Sequence, residues 1–248
     1  MIIDAHIHSG DFLGRKWDAA KIIAVMDKYE IEKAFISSET AIIYGEPAAN
    51  RDLYKNYLKL YPDRFIGYCV PDPYNNPEKE VEDCIKSGHF RGIKLHPWYQ
   101  KCPLTSSFYE PVFRIANEKK LPVLVHSGGT LKMPDFRFAL PEMFLSVADK
   151  YKNISLIVGH MGLERWRQVI EMVNGYKNIF LDITMSMPNP ERLEFAVEKV
   201  GVDRVLLGTD TPLLDPGVSL GLIYGSSLST TEKEKIMGGN ILSLLNKA

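Results

Sequence analysis

Eight apolar stretches, each followed by a segment with helical spacing, predict the α/β class and within it a (β/α)8 TIM barrel. The runs are apolar on both faces, as parallel strands covered on both sides must be. The length of 248 residues suits eight such units, and we expect residues 1–248 to form a single domain. Most of the runs end on a histidine or an aspartate, where a barrel gathers its functional side chains.

The first strand is Met1-Ile-Ile-Asp-Ala-His-Ile-His8. Its period of two places Asp4, His6 and His8 on one face and Ile3, Ala5 and Ile7 on the other. A helix is expected over residues 17–29, where Ile22, Ile23, Val25 and Met26 recur at helical spacing, and the β-rich strand 31–37 follows. Helix 47–60, strand 64–70, helix 77–87, strand 90–96 and helix 108–119 continue the alternation, with Pro, Gly, Asn or Asp at the joins. Strand 121–126, helix 138–150, strand 154–160, helix 164–174, strand 178–184, helix 190–199 and strand 204–210 complete eight units, and the tail from Thr230 supplies a closing helix. An open doubly wound sheet is the competing architecture. It usually carries a glycine-rich phosphate turn after an early strand, whereas Ser9-Gly-Asp-Phe12 follows here, with no G-x-G-x-x-G.

The composition, 45% hydrophobic and 25% charged, is that of an ordinary globular protein. A net charge of -1 with interspersed signs gives no reason to expect a nucleic-acid or membrane partner. A small-molecule substrate is the expected partner, and homo-oligomerisation stays open. Cys69, Cys84 and Cys102 form no C-x-x-C pair and are odd in number, which argues against a disulfide framework and for a reducing, cytoplasmic setting. Neither a secretory leader nor a membrane-length apolar run is visible.

Two imidazoles at i and i+2 on one strand approach one point from the same side, which suits a zinc-like ion. In a barrel, His6 and His8 on the first strand neighbour Asp210 on the eighth across the seam, and His126 on the fifth lies opposite. Together they form a three-histidine, one-carboxylate metal cage. A bound divalent ion would acidify a water and polarise a carbonyl, and Asp210 can both bind the ion and take a proton from that water. His160, after Gly159 at the end of the sixth strand, is either a proton shuttle or electrophile, or a structural histidine fixed by hydrogen bonds. Lys94 and His96 share one face of the fourth strand. His96 reads as substrate-facing, and Lys94 as holding a substrate carboxylate or pairing with a barrel acid. Asp4 reads as second to the metal, orienting a histidine, or as filling the barrel floor. His89, in a Ser-Gly-His turn, reads as a surface residue. Arg137, Arg165 and Arg167 are further candidates for a substrate anion, although surface ion pairs explain the last two more simply.

Several motifs together resemble the amidohydrolase superfamily, and within it the amidohydrolase-related (amidohydrolase 2) family that includes metal-dependent decarboxylases and lactonases. They are Asp4-Ala-His-Ile-His8, Gly92-Ile-Lys-Leu-His-Pro97, Pro122-Val-Leu-Val-His-Ser-Gly128, Gly159-His-Met-Gly162, Leu207-Gly-Thr-Asp210 and Gly238-Gly-Asn-Ile-Leu242. The resemblance covers nearly the whole chain. It implies a metal-dependent hydrolase type of barrel with one divalent ion, zinc or manganese, on His6, His8, His126 and Asp210, and with His160 near the reacting centre. A carbamylated Lys94 bridging two ions, with His160 as a ligand, is the binuclear alternative. The glutamate of a Gly-Glu-Ile-Gly-like strand is missing, so a TatD-type nuclease reading falls.

The leading expectation is a hydrolase that directs a metal-activated water at a small lactone, amide or ester. The alternative is a non-oxidative metal-dependent decarboxylase or hydratase of a small carboxylic acid, and a third reading is a barrel that binds metal or ligand without turnover. Residues 98–107 and 129–134 are expected to shape specificity.

Overall fold

A computed structural model describes residues 1–12, 14–46, 48–128, 137–184 and 190–247. Its strands are β1 (Ile2–Phe12), β2 (Arg15–Trp17), β3 (Ile31–Ser38), β4 (Phe65–Cys69), β5 (Phe90–Leu95), β6 (Pro122–Val125), β7 (Ser155–Val158), β8 (Ile179–Asp182) and β9 (Val205–Leu206). They form one sheet in the order β2-β1-β3-β4-β5-β6-β7-β8-β9, and every pair but β1–β2 is parallel. The chain beyond β9 returns to β1. Ala5 N–H donates to Leu207 O at 2.8 Å, Asp210 N–H to His6 O at 2.8 Å, and His8 N–H to Thr211 O at 2.7 Å. The eight parallel strands therefore close into the expected barrel, with β2 outside the count.

Alternation along the strands sorts two layers of core. Ile3, Ala5, Phe35, Tyr68, Leu124, Ile157, Phe180 and Leu206 pack together inside the barrel, and Ile241 and Leu244 of the helix Asn240–Leu245 join them. The tail thus closes one end of the barrel. The opposite strand faces, with Ile36, Val123, Val125, Leu156 and Leu181, pack against helix residues such as Ile22, Met26, Leu58 and Val112. Each such large side chain, fully removed from water, contributes about 1.5–3 kcal/mol before entropy is counted.

Several elements depart from expectation. β1 runs past His8 into an antiparallel hairpin, with Gly10 opposite Trp17 and Asp11 opposite Lys16, because Ser9-Gly10-Asp11-Phe12 extends the strand rather than turning into helix. A helix Glu39–Tyr44 starts directly after β3, where the Ser38 hydroxyl accepts from Ala41 N–H at 3.3 Å. Another, Pro216–Gly225, starts at the Asp215 cap. The expected helix start at Pro47 lies outside the described residues. The chain is helical from Ala49 and passes through a π turn, Tyr54–Leu58. The helix expected from Glu164 begins at Trp166, because Gly159–Arg165 is an irregular turn in which His160, Met161 and Leu163 have positive φ. Among the described residues, no helix is long and apolar enough to cross a membrane.

Candidate metal centre

β1 carries two of the site's imidazoles, His6 and His8, and each is held from behind by a carboxylate. His6 Nδ1 donates to Asp182 Oδ2 at 2.6 Å, with Thr184 Oγ1 at 3.3 Å from the same nitrogen. Asp182 itself accepts from the Thr184 backbone N–H at 2.8 Å and from its hydroxyl. A Cβ at Gly208 would collide with Asp182 and Thr184, so only glycine on the neighbouring strand end leaves room for this pair. His8 Nδ1 lies 3.1 Å from Ser37 Oγ and 3.3 Å from Glu39 Oε2. With both Nδ1 atoms donating, each imidazole turns the lone pair of Nε2 inward.

Those lone pairs converge with a third acceptor. The two Nε2 atoms are 3.1 Å apart, and Asp210 Oδ1 lies 2.9 Å from His8 Nε2 and 3.5 Å from His6 Nε2. All three residues are buried. Three acceptors packed this closely repel one another unless a cation sits among them. Ligands bonded at about 2.0–2.2 Å stand roughly 3 Å apart, so the donor set fits a divalent ion. The group His6, His8 and Asp210 meets the geometric conditions for a metal site among the described residues.

Electrostatics agree with a neutral His6 ring and an ionised Asp210. Burial, then the Lys94 ammonium, push His6 down to about 3, against the pull of Asp182 and Asp210. Burial alone would raise Asp210, but the imidazoles of His8, His6 and His160 outweigh it and hold the carboxyl far below its usual range. Burial pushes Lys94 down to about 8, opposed by Asp210, Asp182 and Glu39. Its Nζ stands 2.7 Å from His6 Nε2, and the residue is wholly enclosed.

A second imidazole group adjoins the first. His126 stacks on His96 with ring centres 3.9 Å apart and planes 12° from parallel, and His126 Nδ1 lies 3.0 Å from His160 Nε2. His160 reaches toward the first group, its ring centre 5.1 Å from that of His6, and its Nδ1 is enclosed without a partner among the described residues. Its φ of 58° is uncommon for any residue other than glycine, a strain that the surrounding turn must sustain. Burial, then neighbouring cations, push His96 and His126 well below their ordinary value.

The structure therefore brings together His6, His8 and Asp210 as expected, and places Lys94 against them. His126 stands beside this trio with His160 and His96 rather than inside it. Asp4 does not orient an imidazole. It accepts from the His6 backbone N–H at 3.0 Å, the Thr209 N–H at 3.1 Å and the Thr209 hydroxyl at 2.5 Å, fastening β1 to the segment after β9, and burial raises its carboxyl to about 7. The imidazole-orienting role belongs to Asp182 and Glu39, which sequence reasoning missed. Asp182 had a legible signal, since Ile179-Phe-Leu-Asp182 is another apolar run ending on a polar residue. Glu39 had none, lying beyond its strand in the first turn of an unexpected helix. Arg167 is exposed over the Trp166 and Phe195 rings, and His89 is half-buried against Tyr54. Of the expected specificity loops, residues 129–134 lie outside the described residues.

A family profile described as amidohydrolase matches residues 3–247. The chain belongs to that family. Among curated proteins, it is 22% identical over 282 residues to the γ-resorcylate decarboxylase of Polaromonas sp. (strain JS666 / ATCC BAA-500), spanning 90% of this chain and 85% of the other. Among solved structures, the 2,6-dihydroxybenzoate decarboxylase from Rhizobium superposes with a TM-score of 0.80 at 17% identity, over 99% of this chain and 98% of that one. The dihydroxybenzoic acid decarboxylase of Polaromonas sp. JS666, solved with bound manganese and the inhibitor 2-nitroresorcinol, gives 0.80 at 19% identity over 99% and 96%. At these identities the structural likeness establishes the barrel fold.

The comparisons correct the leading expectation. These similar proteins are decarboxylases, not hydrolases of lactones, amides or esters. The sequence misled because the donor set is common to both chemistries. A metal that can acidify a water can also hold a carboxylate and an adjacent ring oxygen, and nothing in His-x-His or Gly-Thr-Asp says which it meets.

Proposed function

We propose that this chain is a metal-dependent, non-oxidative decarboxylase of a small aromatic carboxylic acid. The observation that carries the reading is the convergence of His6 Nε2, His8 Nε2 and Asp210 Oδ1 beside a buried lysine, in a chain similar to decarboxylases. His6, His8 and Asp210, with His126 as the fourth protein ligand, would hold one divalent ion. When bound, the ion supplies a Lewis acid for the substrate carboxylate and its neighbouring ring oxygen. Manganese is the ion to load first, since a similar structure holds it, and zinc, expected from the sequence, is the comparison.

The chain's own groups carry the rest. Lys94 pairs with the carboxylate that is to be lost, since among the described residues no carboxylate stands within ion-pair distance of its enclosed ammonium. The backbone N–H of Tyr99 points at His96 Nδ1 at 3.5 Å, which leaves His96 Nε2–H to donate to a ring oxygen. His160, pushed down from its ordinary value by burial and sitting beside Asp210, carries the proton. The ring carbon bearing the carboxylate gains that proton, the C–C bond breaks, its electron pair restores the aromatic ring and carbon dioxide leaves. One proton is consumed and no oxidant is needed.

The same reading takes residues 1–248 as one catalytic domain. It also keeps the cytoplasmic assignment, supported by three buried free thiols. The test is a panel of carboxyl-labelled hydroxybenzoic acids offered to manganese-loaded protein, with labelled carbon dioxide and the decarboxylated phenol as readouts. Both products in equal amounts support the reading, and release from no acid on the panel refutes it.

A further inference from the structure

Side-chain amides clamp the backbone at several places in this fold, and one of them holds a residue of the site. Asn50 binds both the N–H and the carbonyl of Val70, Asn178 donates to Ala148 O and Tyr151 O, and Asn240 donates to Val202 O and Val205 O. Gln100 reaches further. Its Oε1 accepts from the His96 backbone N–H at 2.9 Å and from the Tyr109 hydroxyl at 2.7 Å, and its Nε2 donates to Pro71 O at 2.6 Å. Two donors on the oxygen and an acceptor on the nitrogen leave the amide one orientation.

Three segments at the barrel mouth meet on this one side chain. Pro71 follows β4, His96 follows β5 directly, and Tyr109 ends the short turn that leads into the helix Glu110–Glu118. The Gln100 backbone N–H also donates to His96 O at 3.0 Å, so main chain and side chain together close the turn 96–100 on both backbone groups of His96. That turn brings Tyr99 N–H to His96 Nδ1 at 3.5 Å. A neutral imidazole that accepts at Nδ1 carries its proton on Nε2.

We propose that Gln100 is a positioning residue that acts through His96, closing the turn that fixes the imidazole proton on Nε2 and aims it at the substrate's ring oxygen. The part that concerns turnover rests on the decarboxylase reading. The part that concerns the ring does not. Without the amide, the turn keeps its backbone bond but loses its ties to Pro71 and Tyr109, and the Tyr99 N–H that selects the tautomer is no longer held against Nδ1.

The test reads the His96 tautomer by nitrogen-15 histidine NMR in wild type, Gln100→Met, Gln100→Glu and the remote control Asn178→Ala. Zinc-loaded protein is used, since zinc is diamagnetic, and His96→Phe assigns the signals. Carbon dioxide release from the hydroxybenzoic acid panel is measured beside it on manganese-loaded protein. Wild type and Asn178→Ala should carry the proton on Nε2. Gln100→Met should lose that single tautomer and turn over about 10–100-fold more slowly, the scale of a small misplacement, with metal content unchanged. Gln100→Glu keeps an acceptor for His96 N–H and the Tyr109 hydroxyl, and should recover the tautomer and part of the rate. A wild-type proton on Nδ1 overturns the inference. So does Gln100→Met with an unchanged ring, or with an unchanged rate where wild type turns over, and so does a Gln100→Glu protein no better than Gln100→Met. Loss of the tautomer in Asn178→Ala as well would mark general loosening and also overturns it. The two readouts separate the two readings. A tautomer that depends on Gln100 in protein that releases no carbon dioxide keeps the positioning and sinks the reaction, and release with a tautomer indifferent to Gln100 does the reverse.

Discussion

The two imidazole groups at the barrel mouth are built from the same residue type and work from opposite supports. His6 and His8 are each backed by a carboxylate, Asp182 or Glu39, so their inward nitrogens are fixed as lone pairs beside Asp210. His96, His126 and His160 touch one another, and no carboxylate pairs with them among the described residues. His160 Nδ1 has no partner among the described residues. A histidine tied to a carboxylate is held in one tautomer, whereas one that leans on other rings can be drawn to an ion, as proposed for His126, or left to carry a proton, as proposed for His160. The difference teaches that strand-end position alone does not assign a role. The atom behind the ring does.

The strongest way to break this contrast is to remove one of the converging donors. His6→Ala and Asp210→Asn should each lose most bound metal and reduce decarboxylation to background. Elemental mass spectrometry of protein purified without added metal reads this, and near-full occupancy in either variant would dissolve the distinction. His160→Gln should lower turnover by about 10²–10⁴-fold, the usual worth of a positioned proton carrier, with metal content unchanged. Loss of metal in that variant would move His160 into the ligand set and revive the two-ion arrangement with Lys94.

Asp182→Asn sharpens the comparison from behind the ring. It should weaken metal binding by roughly 10–100-fold in a chelator competition, as partners of ligating histidines usually do. Glu39→Gln should cost less, because its carboxylate lies at 3.3 Å and keeps some exposure. Equal affinity for Asp182→Asn and wild type would mean that Asp182 does not fix the His6 tautomer. The smallest effect belongs to a site remote from both groups. Ser229→Ala removes one half of the capping box with Glu232 and should cost about 1 kcal/mol, a melting shift of roughly 2–4 °C, with metal content and turnover untouched.

Much of the fold was legible because barrel strands are covered on both faces and therefore announce themselves as apolar runs. The eight runs and the polar residues that end them led directly to His6, His8 and Asp210. What escaped were features set by partners distant in sequence. The β1–β2 hairpin needs Trp17 opposite Gly10, and the His6–Asp182 bond joins residues from opposite ends of the chain. The role of Asp4 was left open between orienting a histidine and filling the barrel floor for a related reason. Its spacing from His6 is a matter of sequence, but its hydrogen bonds to Thr209 depend on barrel closure. Reaction type was least legible, since it depends on which atoms of the substrate meet a donor set shared by different chemistries.

Closure of the barrel by contacts between β1 and the segment after β9 also orders events in time. During synthesis His6 and His8 emerge first and wait with their strand unpaired on one side, while Asp182 and Asp210 leave the ribosome late. The nascent chain therefore holds only half of the proposed donor set for most of its translation, and the three donors converge only when the last strand docks.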